Sequence, residues 1–152
     1  MRFSFKYAMI NFLWAYIIVT VLAYSLSYAM GTIFNLPSAE ELGVSMFEDP
    51  AFVKTVPYHL FINFICWTFF GYRYLKKINA VHIQFTYYLS CGWLIVAIVV
   101  DFVGFVLIKS PVSLTPYQFY IEYQPWISVT YAIVFISPLV AHALLKRKYS
   151  LS

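Results

Sequence analysis

Ionisable side chains are rare in the long apolar stretches of this chain, and Asp101 is the carboxylate among them. It lies in the sequence VVDFVGF, eight residues before Lys109 and therefore about 12 Å from that end of a helix. An aspartate at the centre of a membrane span costs about 2.5–3.5 kcal/mol on insertion scales, and less toward the interface. This cost favours a position facing neighbouring helices, where a carboxylate can fix helix register, bind a ligand or exchange a proton.

Two further polar residues lie in the preceding apolar stretch. His59 and Asn63 are four residues apart, so they share one face of a helix. Counting from the nearest basic residue places His59 and Asp101 at comparable depths, which predicts a contact between them. Glu122, in the loop that follows, is expected to cover the pair. His59, Asp101, Glu122 and Asn63 together form the predicted ligand or proton site.

The remaining spans carry hydroxyl groups in positions that favour contact with other helices. One face of the first span holds Tyr16, Thr20, Tyr24 and Ser27, and the fourth offers Ser128, Tyr131 and Ser137 around Pro138. Hydrogen bonds between helices explain such residues most simply, and the lining of a polar cavity is the sharper alternative.

The sequence has none of the motifs that typically mark a catalytic centre or a nucleotide site. Walker, H-E-x-x-H, G-x-S-x-G and C-x-x-C patterns are all missing. We therefore assign no catalytic residue, no metal site and no cofactor, and whether the protein is an enzyme stays open with the weight against it.

Composition indicates the class of protein to which these residues belong. Of 152 residues, 62% are hydrophobic and 11% charged, and the mean hydropathy is +0.77. A soluble domain carries about 25% charged residues, so this chain lacks the charge to cover a surface in water. The formal charge of +4 comes from short clusters at the ends of apolar runs, which does not predict nucleic-acid binding.

Four apolar segments are long enough to cross a bilayer, at about residues 7–34, 56–75, 81–108 and 126–145. They predict one all-α domain, 1–152, in the form of an integral membrane four-helix transmembrane bundle. The first segment is longer than the apolar part of a signal peptide, so we expect it to be retained.

Basic residues predict the orientation of these spans. Eight of the ten fall on one side of a four-span arrangement: Arg2, Lys6, Arg73, Lys76, Lys77, Lys146, Arg147 and Lys148. Positively charged loops favour the cytoplasm, which predicts a multi-pass plasma-membrane protein with both termini inside.

The two outer loops have different signatures. In the first, Ser38 and Glu41 have the spacing of a capping box, which predicts a short surface helix over residues 39–47. Asp49, ahead of a proline, is a typical start for the next helix. The second loop, residues 109–125, is rich in proline and tyrosine and either anchors at the membrane interface or forms a lid over a pocket.

These observations favour a binding or accessory protein that acts through intramembrane helix contacts and an outer-leaflet polar pocket. Its partners are the lipid bilayer and, under this hypothesis, another membrane protein or a second copy of the chain. A proton-linked transporter or channel using Asp101 is the alternative, and an outward-facing membrane enzyme is the third.

Overall fold

The computed structural model describes residues 4–79, 82–108 and 114–150, and the side chains in these ranges up to residue 147. Of the described residues, 87% are helical and none forms a strand, which confirms the predicted all-α class. Three helices are long and apolar enough to cross a membrane: Phe5–Phe34, Ile83–Leu107 and Trp126–Arg147. The chain is therefore a membrane protein with transmembrane helices.

Helix α1, Phe5–Phe34, fills the first predicted span and ends at a left-handed residue. Asn35 has φ 48° and donates its backbone N–H to the carbonyl of Gly31. Asparagine tolerates this conformation, and the resulting bond satisfies one of the last carbonyls of the helix.

The short surface helix is only partly formed. Ser38 and Glu41 make the predicted capping box, with the Glu41 carboxylate 2.8 Å from the Ser38 backbone nitrogen. Helix α2 then covers only Ala39–Leu42, because Gly43 turns the chain with φ 66°. A separate 3-10 turn follows at Met46–Glu48, so the prediction of one helix over residues 39–47 is wrong in its length.

Helix α3, Pro50–Lys77, begins six residues before the predicted second span. Asp49 accepts hydrogen bonds from the backbone N–H groups of Ala51 and Phe52, as expected for a side chain that caps the helix. This helix is not among the three most apolar ones, because Lys54 and several polar groups interrupt its hydrophobic residues.

Helix α4, Ile83–Asp101, is shorter and less regular than the predicted third span over residues 81–108. It passes into a π-helical turn, Phe102–Leu107, directly after Asp101. Such wide turns occur often at functional sites. The predicted boundaries at Val81, Lys109 and Pro111 lie outside the described residues. Helix α5, Trp126–Ser150, covers and extends the predicted fourth span.

The long helices pack in an alternating order: α1 lies against α3, α3 against α5, and α5 against α4. Contacts along their lengths give their directions. Tyr7 stacks on Tyr74 while Ser27 meets Thr55, so α1 and α3 are antiparallel. Four further contacts show that α4 runs parallel to α1 and antiparallel to α5. These are Trp93 with the Ala8 carbonyl, Thr86 with His142, and Asp101 with both Tyr16 and Tyr131.

These directions define two ends of the molecule. The terminal end holds the start of α1, the end of α5 and the connection between α3 and α4. The loop end holds the connection over residues 35–49 and, of the connection between α4 and α5, the described residues 114–125. The main hydrophobic core lies toward the terminal end, where Phe12, Trp67 and Trp93 pack with ring centroids 5.2–6.4 Å apart.

Candidate ligand-binding cavity

A cavity of about 870 Å³ occupies the loop end, between the helices and beneath the two connections. Its lining reaches the main core at Trp67, Ala97 and Val134. Its volume lies in the upper part of the range of small-molecule sites, which is about 300–1,000 Å³. We refer to this space as the loop-end cavity.

The cavity exists because α1 and α3 extend further toward the loop end than α4 and α5 do. Tyr16 and Asp101 are hydrogen-bonded and therefore mark one level in the molecule. Beyond that level α1 continues for 18 residues, about 27 Å, whereas the α4 segment continues for six residues to Leu107. The pair α1 and α3 thus forms a tall wall, and no helix of equal height stands opposite it among the described residues.

Part of the second connection covers the space left by the shorter pair. Its π-helical turn, Gln118–Glu122, turns Phe119 inward, where this ring is only 3% exposed. Phe119 stacks on Phe105, and Tyr123 stacks on Phe47 from the first connection at 3.9 Å between ring centroids. Of the two predictions for this loop, the structure shows aromatic side chains that line the cavity in the manner of a lid.

Burial, with a smaller contribution from the negative charge of Asp101, raises the pKa of Tyr123 to about 12. The Tyr123 phenol therefore stays protonated at neutral pH and lines the cavity as a neutral group.

Asp101 lies at the base of the cavity and is 8% exposed. The Tyr16 hydroxyl donates to Oδ1 at 2.5 Å, and the Tyr131 hydroxyl donates to Oδ2 at 3.0 Å. Two phenols on two different helices thus hold one carboxylate from a third. Each carboxylate oxygen therefore accepts one hydrogen bond from a phenol.

A second polar group lies on the wall formed by α1 and α3. Ser27 lies 2.8 Å from the Thr55 hydroxyl and 3.1 Å from His59 Nε2. Thr55 also donates to the carbonyl of Ala51, and the His59 ring packs against Phe52. These bonds connect α1 to α3 and leave the imidazole at the cavity wall.

The predicted contact between His59 and Asp101 is wrong. The α1 partners of the two residues, Ser27 and Tyr16, are eleven residues apart, which separates the two groups by about 16 Å along the helix. The depths estimated from the loop ends were wrong because the α4 segment ends much further from the loop end of the molecule than α1 does.

The other two predicted site residues have different outcomes. Asn63 lines the cavity, and its bonds run along α3, from Nδ2 to the His59 carbonyl and from Trp67 Nε1 to Oδ1. Glu122 is exposed and is not among the residues that line the cavity, so it does not cover the pair as expected. The structure therefore groups His59, Asn63 and Asp101 around one cavity.

The residues that complete the site were visible in the sequence only as hydroxyls on helix faces. Tyr16 and Tyr131 fitted both helix contact and cavity lining, and the structure assigns them both roles at once. Comparisons of the chain with protein-family models, curated proteins and solved structures found no match. Within the described residues, no group of three His, Cys, Asp or Glu side chains is arranged to hold a metal ion.

Proposed function

We propose that the chain crosses the plasma membrane four times, as a bundle of α1, α3, α4 and α5 with both termini in the cytoplasm. The contacts of α3 support the fourth span, because α3 lies along α1 from Tyr7–Tyr74 at one end to Ser27–Thr55 at the other. Since α1 is apolar enough to cross, its antiparallel neighbour of similar length crosses with it. The polar groups of α3 face α1 or the cavity at His59 and Asn63, which lowers the cost of inserting it.

The distribution of basic residues supports the orientation. Arg73, Lys76 and Lys77 end α3 at the terminal end, and Lys146 and Arg147 lie toward the end of α5 at that same end. The loop end carries Lys54 and, in the first connection and the lid, five of the six acidic residues of the chain: Glu40, Glu41, Glu48, Asp49 and Glu122. The positive-inside rule therefore places the terminal end in the cytoplasm and the cavity in the outer leaflet.

Cysteine accessibility tests this topology in intact cells. After the native Cys66 and Cys91 are replaced by serine, single cysteines are placed at Ser45 and Thr115 at the loop end, and at Asn79 at the terminal end. A membrane-impermeant thiol reagent should label positions 45 and 115 and should reach position 79 only after the cells are opened. Labelling of positions 45 and 79 from the same side would show that α3 does not cross the membrane.

We further propose that the protein binds an elongated amphipathic small molecule in the loop-end cavity, without chemical conversion. The observation that carries this function is the cavity itself: about 870 Å³, lined mainly by apolar and aromatic side chains, with a carboxylate and two phenols at its base. Pockets with a few polar groups converging in an apolar lining are typical of ligand sites.

The shape of the wall indicates that the ligand enters from the bilayer. Tyr24 and Tyr28 of α1 line the cavity and are also 74% and 69% exposed, so the cavity reaches the flank of the helix there. Under the proposed topology this flank faces lipid in the outer leaflet. A molecule dissolved in the membrane can therefore reach Asp101 without passing through the aqueous loops.

Mass spectrometry of the purified protein tests the binding function. Protein extracted in a mild neutral detergent should carry a co-purified small molecule in about equal amount. The variant Ala23→Leu fills the cavity wall and should lose it, whereas Val21→Leu, on the exposed side of the same helix, should retain it. Equal recovery from both variants would show that the molecule lies elsewhere and would contradict the proposal.

A further inference from the structure

The lining of the loop-end cavity carries acidic groups without a matching lysine or arginine. It contains the carboxyl groups of Asp49 and Asp101 and the imidazole of His59, and among the described residues no lysine, arginine or glutamate. Asp49 accepts hydrogen bonds from backbone N–H groups at the starts of α2 and α3. Asp101 is the carboxyl group of the lining that is bonded by side chains alone.

Asp101 has hydrogen bonds but no positive partner among the described side chains. Tyr16 and Tyr131 supply one donor each, whereas an ionised carboxylate accepts about four bonds. Asp101 lines the cavity, so a ligand there can reach its remaining acceptor positions. A positive charge beside a buried carboxyl group stabilises its ionised form, so the site favours a ligand that brings a positive charge.

Several aromatic rings line the cavity together with this carboxylate. Tyr16 and Tyr131 bond to it directly, Phe105 follows it by one helical turn, and Phe119 stacks on Phe105 with ring centroids 5.4 Å apart. All four rings line the cavity. Cations bind over the faces of aromatic rings, and several rings beside a carboxylate are the arrangement that recognises ammonium groups.

The cavity also limits the shape of the ligand. Along α1 its lining runs from Tyr16 to Asn35, which is 19 residues or about 28 Å. The space is therefore elongated along α1, and a chain-like molecule can extend through it.

We infer that the ligand is a cationic amphiphile: an ammonium group, either a protonated amine or a quaternary ammonium, bound by Asp101 and the surrounding rings, with an apolar chain filling the rest of the cavity. This inference rests on the proposed function and gives it a ligand class. The ammonium lies at the base, between Asp101, Tyr16 and Tyr131, and the chain extends along α1 toward the loop end.

Calorimetric titration of the full chain in neutral maltoside micelles tests the inference with four probes of equal chain length. They are octylamine, octyltrimethylammonium, octanol and octanoate, each used below the concentration at which it forms micelles. At least one ammonium compound should bind the unaltered protein tenfold or more tightly than octanol, and octanoate should bind weakest. Tighter binding of octylamine than of octyltrimethylammonium would show that recognition depends on N–H donation to Asp101. Equal binding of the two would show that it depends on the positive charge and the ring faces.

Two variants locate the preference. Asp101→Asn should reduce the advantage of the ammonium compound over octanol to less than about threefold, while Glu122→Gln, which alters an exposed carboxylate of the lid, should leave it unchanged. If Asp101→Asn does not fold, the ratio measured on the unaltered protein decides the question. Octanol binding as tightly as both ammonium compounds would overturn the ammonium assignment while leaving a ligand cavity, and no binding of any probe would contradict the proposed function itself.

Discussion

The two ends of this molecule use the same kinds of side chain in opposite ways. At the terminal end, aromatic rings fill the space between helices, and Phe12, Trp67 and Trp93 contact one another with exposures of 2% or less. At the loop end, rings of similar size line the loop-end cavity of about 870 Å³. Composition alone therefore does not distinguish a core from a binding site.

The difference arises from helix length. Where α1, α3, α4 and α5 all run side by side, their side chains meet and exclude space. Where α4 has ended and α1 continues, the irregular lid replaces a helix and leaves a cavity. If the loop-end cavity binds a ligand as proposed, stability is concentrated at one end and recognition at the other, and substitutions at the two ends should have separable effects.

The largest expected effect comes from the terminal-end core. Trp93→Ala removes a ring that is 1% exposed together with its hydrogen bond to the Ala8 carbonyl, and should cost about 3–5 kcal/mol of unfolding free energy. Thermal unfolding in detergent measures this loss, and Trp14→Ala, on the exposed side of α1, is the matched control. Similar losses in the two variants would mean that the core does not carry the stability assigned to it.

The sharpest comparison uses one substitution at two positions of α1. Ala15→Leu inserts three carbons into the packed core and should destabilise the protein by about 1–3 kcal/mol, since Ala15 is fully buried. Ala23→Leu places the same atoms into the loop-end cavity, where open space accepts them, and should leave the unfolding free energy unchanged or raise it. Equal destabilisation at both positions would show that the cavity does not have the described volume.

An intermediate effect is expected at the base of the cavity. Tyr16→Phe and Tyr131→Phe each remove one donor from Asp101 and should each cost about 1.5 kcal/mol, a value between those typical of neutral and of charge-assisted hydrogen bonds. The double variant should lose a different amount from the sum, since both bonds share one carboxylate. Tyr24→Phe, on the same helix but largely exposed, should unfold at the same temperature as the unaltered protein.

The smallest effect concerns two helical glycines. Alanine favours a helix over glycine by about 1 kcal/mol, so Gly92→Ala, with no neighbour within 4 Å, should stabilise the protein by up to that amount. At Gly71 the added Cβ would lie 3.2 Å from the Pro138 Cα, where α3 and α5 meet at the terminal end. We expect Gly71→Ala to unfold at a lower temperature than Gly92→Ala, and the reverse order would indicate a looser contact between α3 and α5.

The sequence predicts those features that depend on local composition. Apolar run length gave the helices, and the spacing of Ser38 and Glu41 gave the capping box, because both signals involve neighbouring residues. The sequence also showed the Asp49 and Pro50 cap that begins α3. The predicted second span nevertheless began later, because it was placed from the apolar run alone.

The geometry of the site depended on information that local patterns do not contain. The pairing of Asp101 with Tyr16 and Tyr131 is set by the relative heights of three helices, and these follow from the π-helical turn after Asp101 and the fold of the lid. His59 and Asp101 both line the loop-end cavity, but they lie about 16 Å apart along the helices, so the predicted pair forms two separate groups.

The polar character of α3 has a consequence for how the protein is made. Under the proposed topology, this helix enters the bilayer after α1 and before α4, although it is too polar to rank with the three most apolar helices. Ser27 of α1 already offers its hydroxyl to Thr55 and His59, so α1 and α3 can insert together as a hairpin. The face of α3 at Gly71, however, is covered only by α5, which leaves the ribosome after α3 and α4. Ribosome-bound chains that stop before α5 should therefore expose α3 to membrane quality-control proteases, and chains that include α5 should be protected.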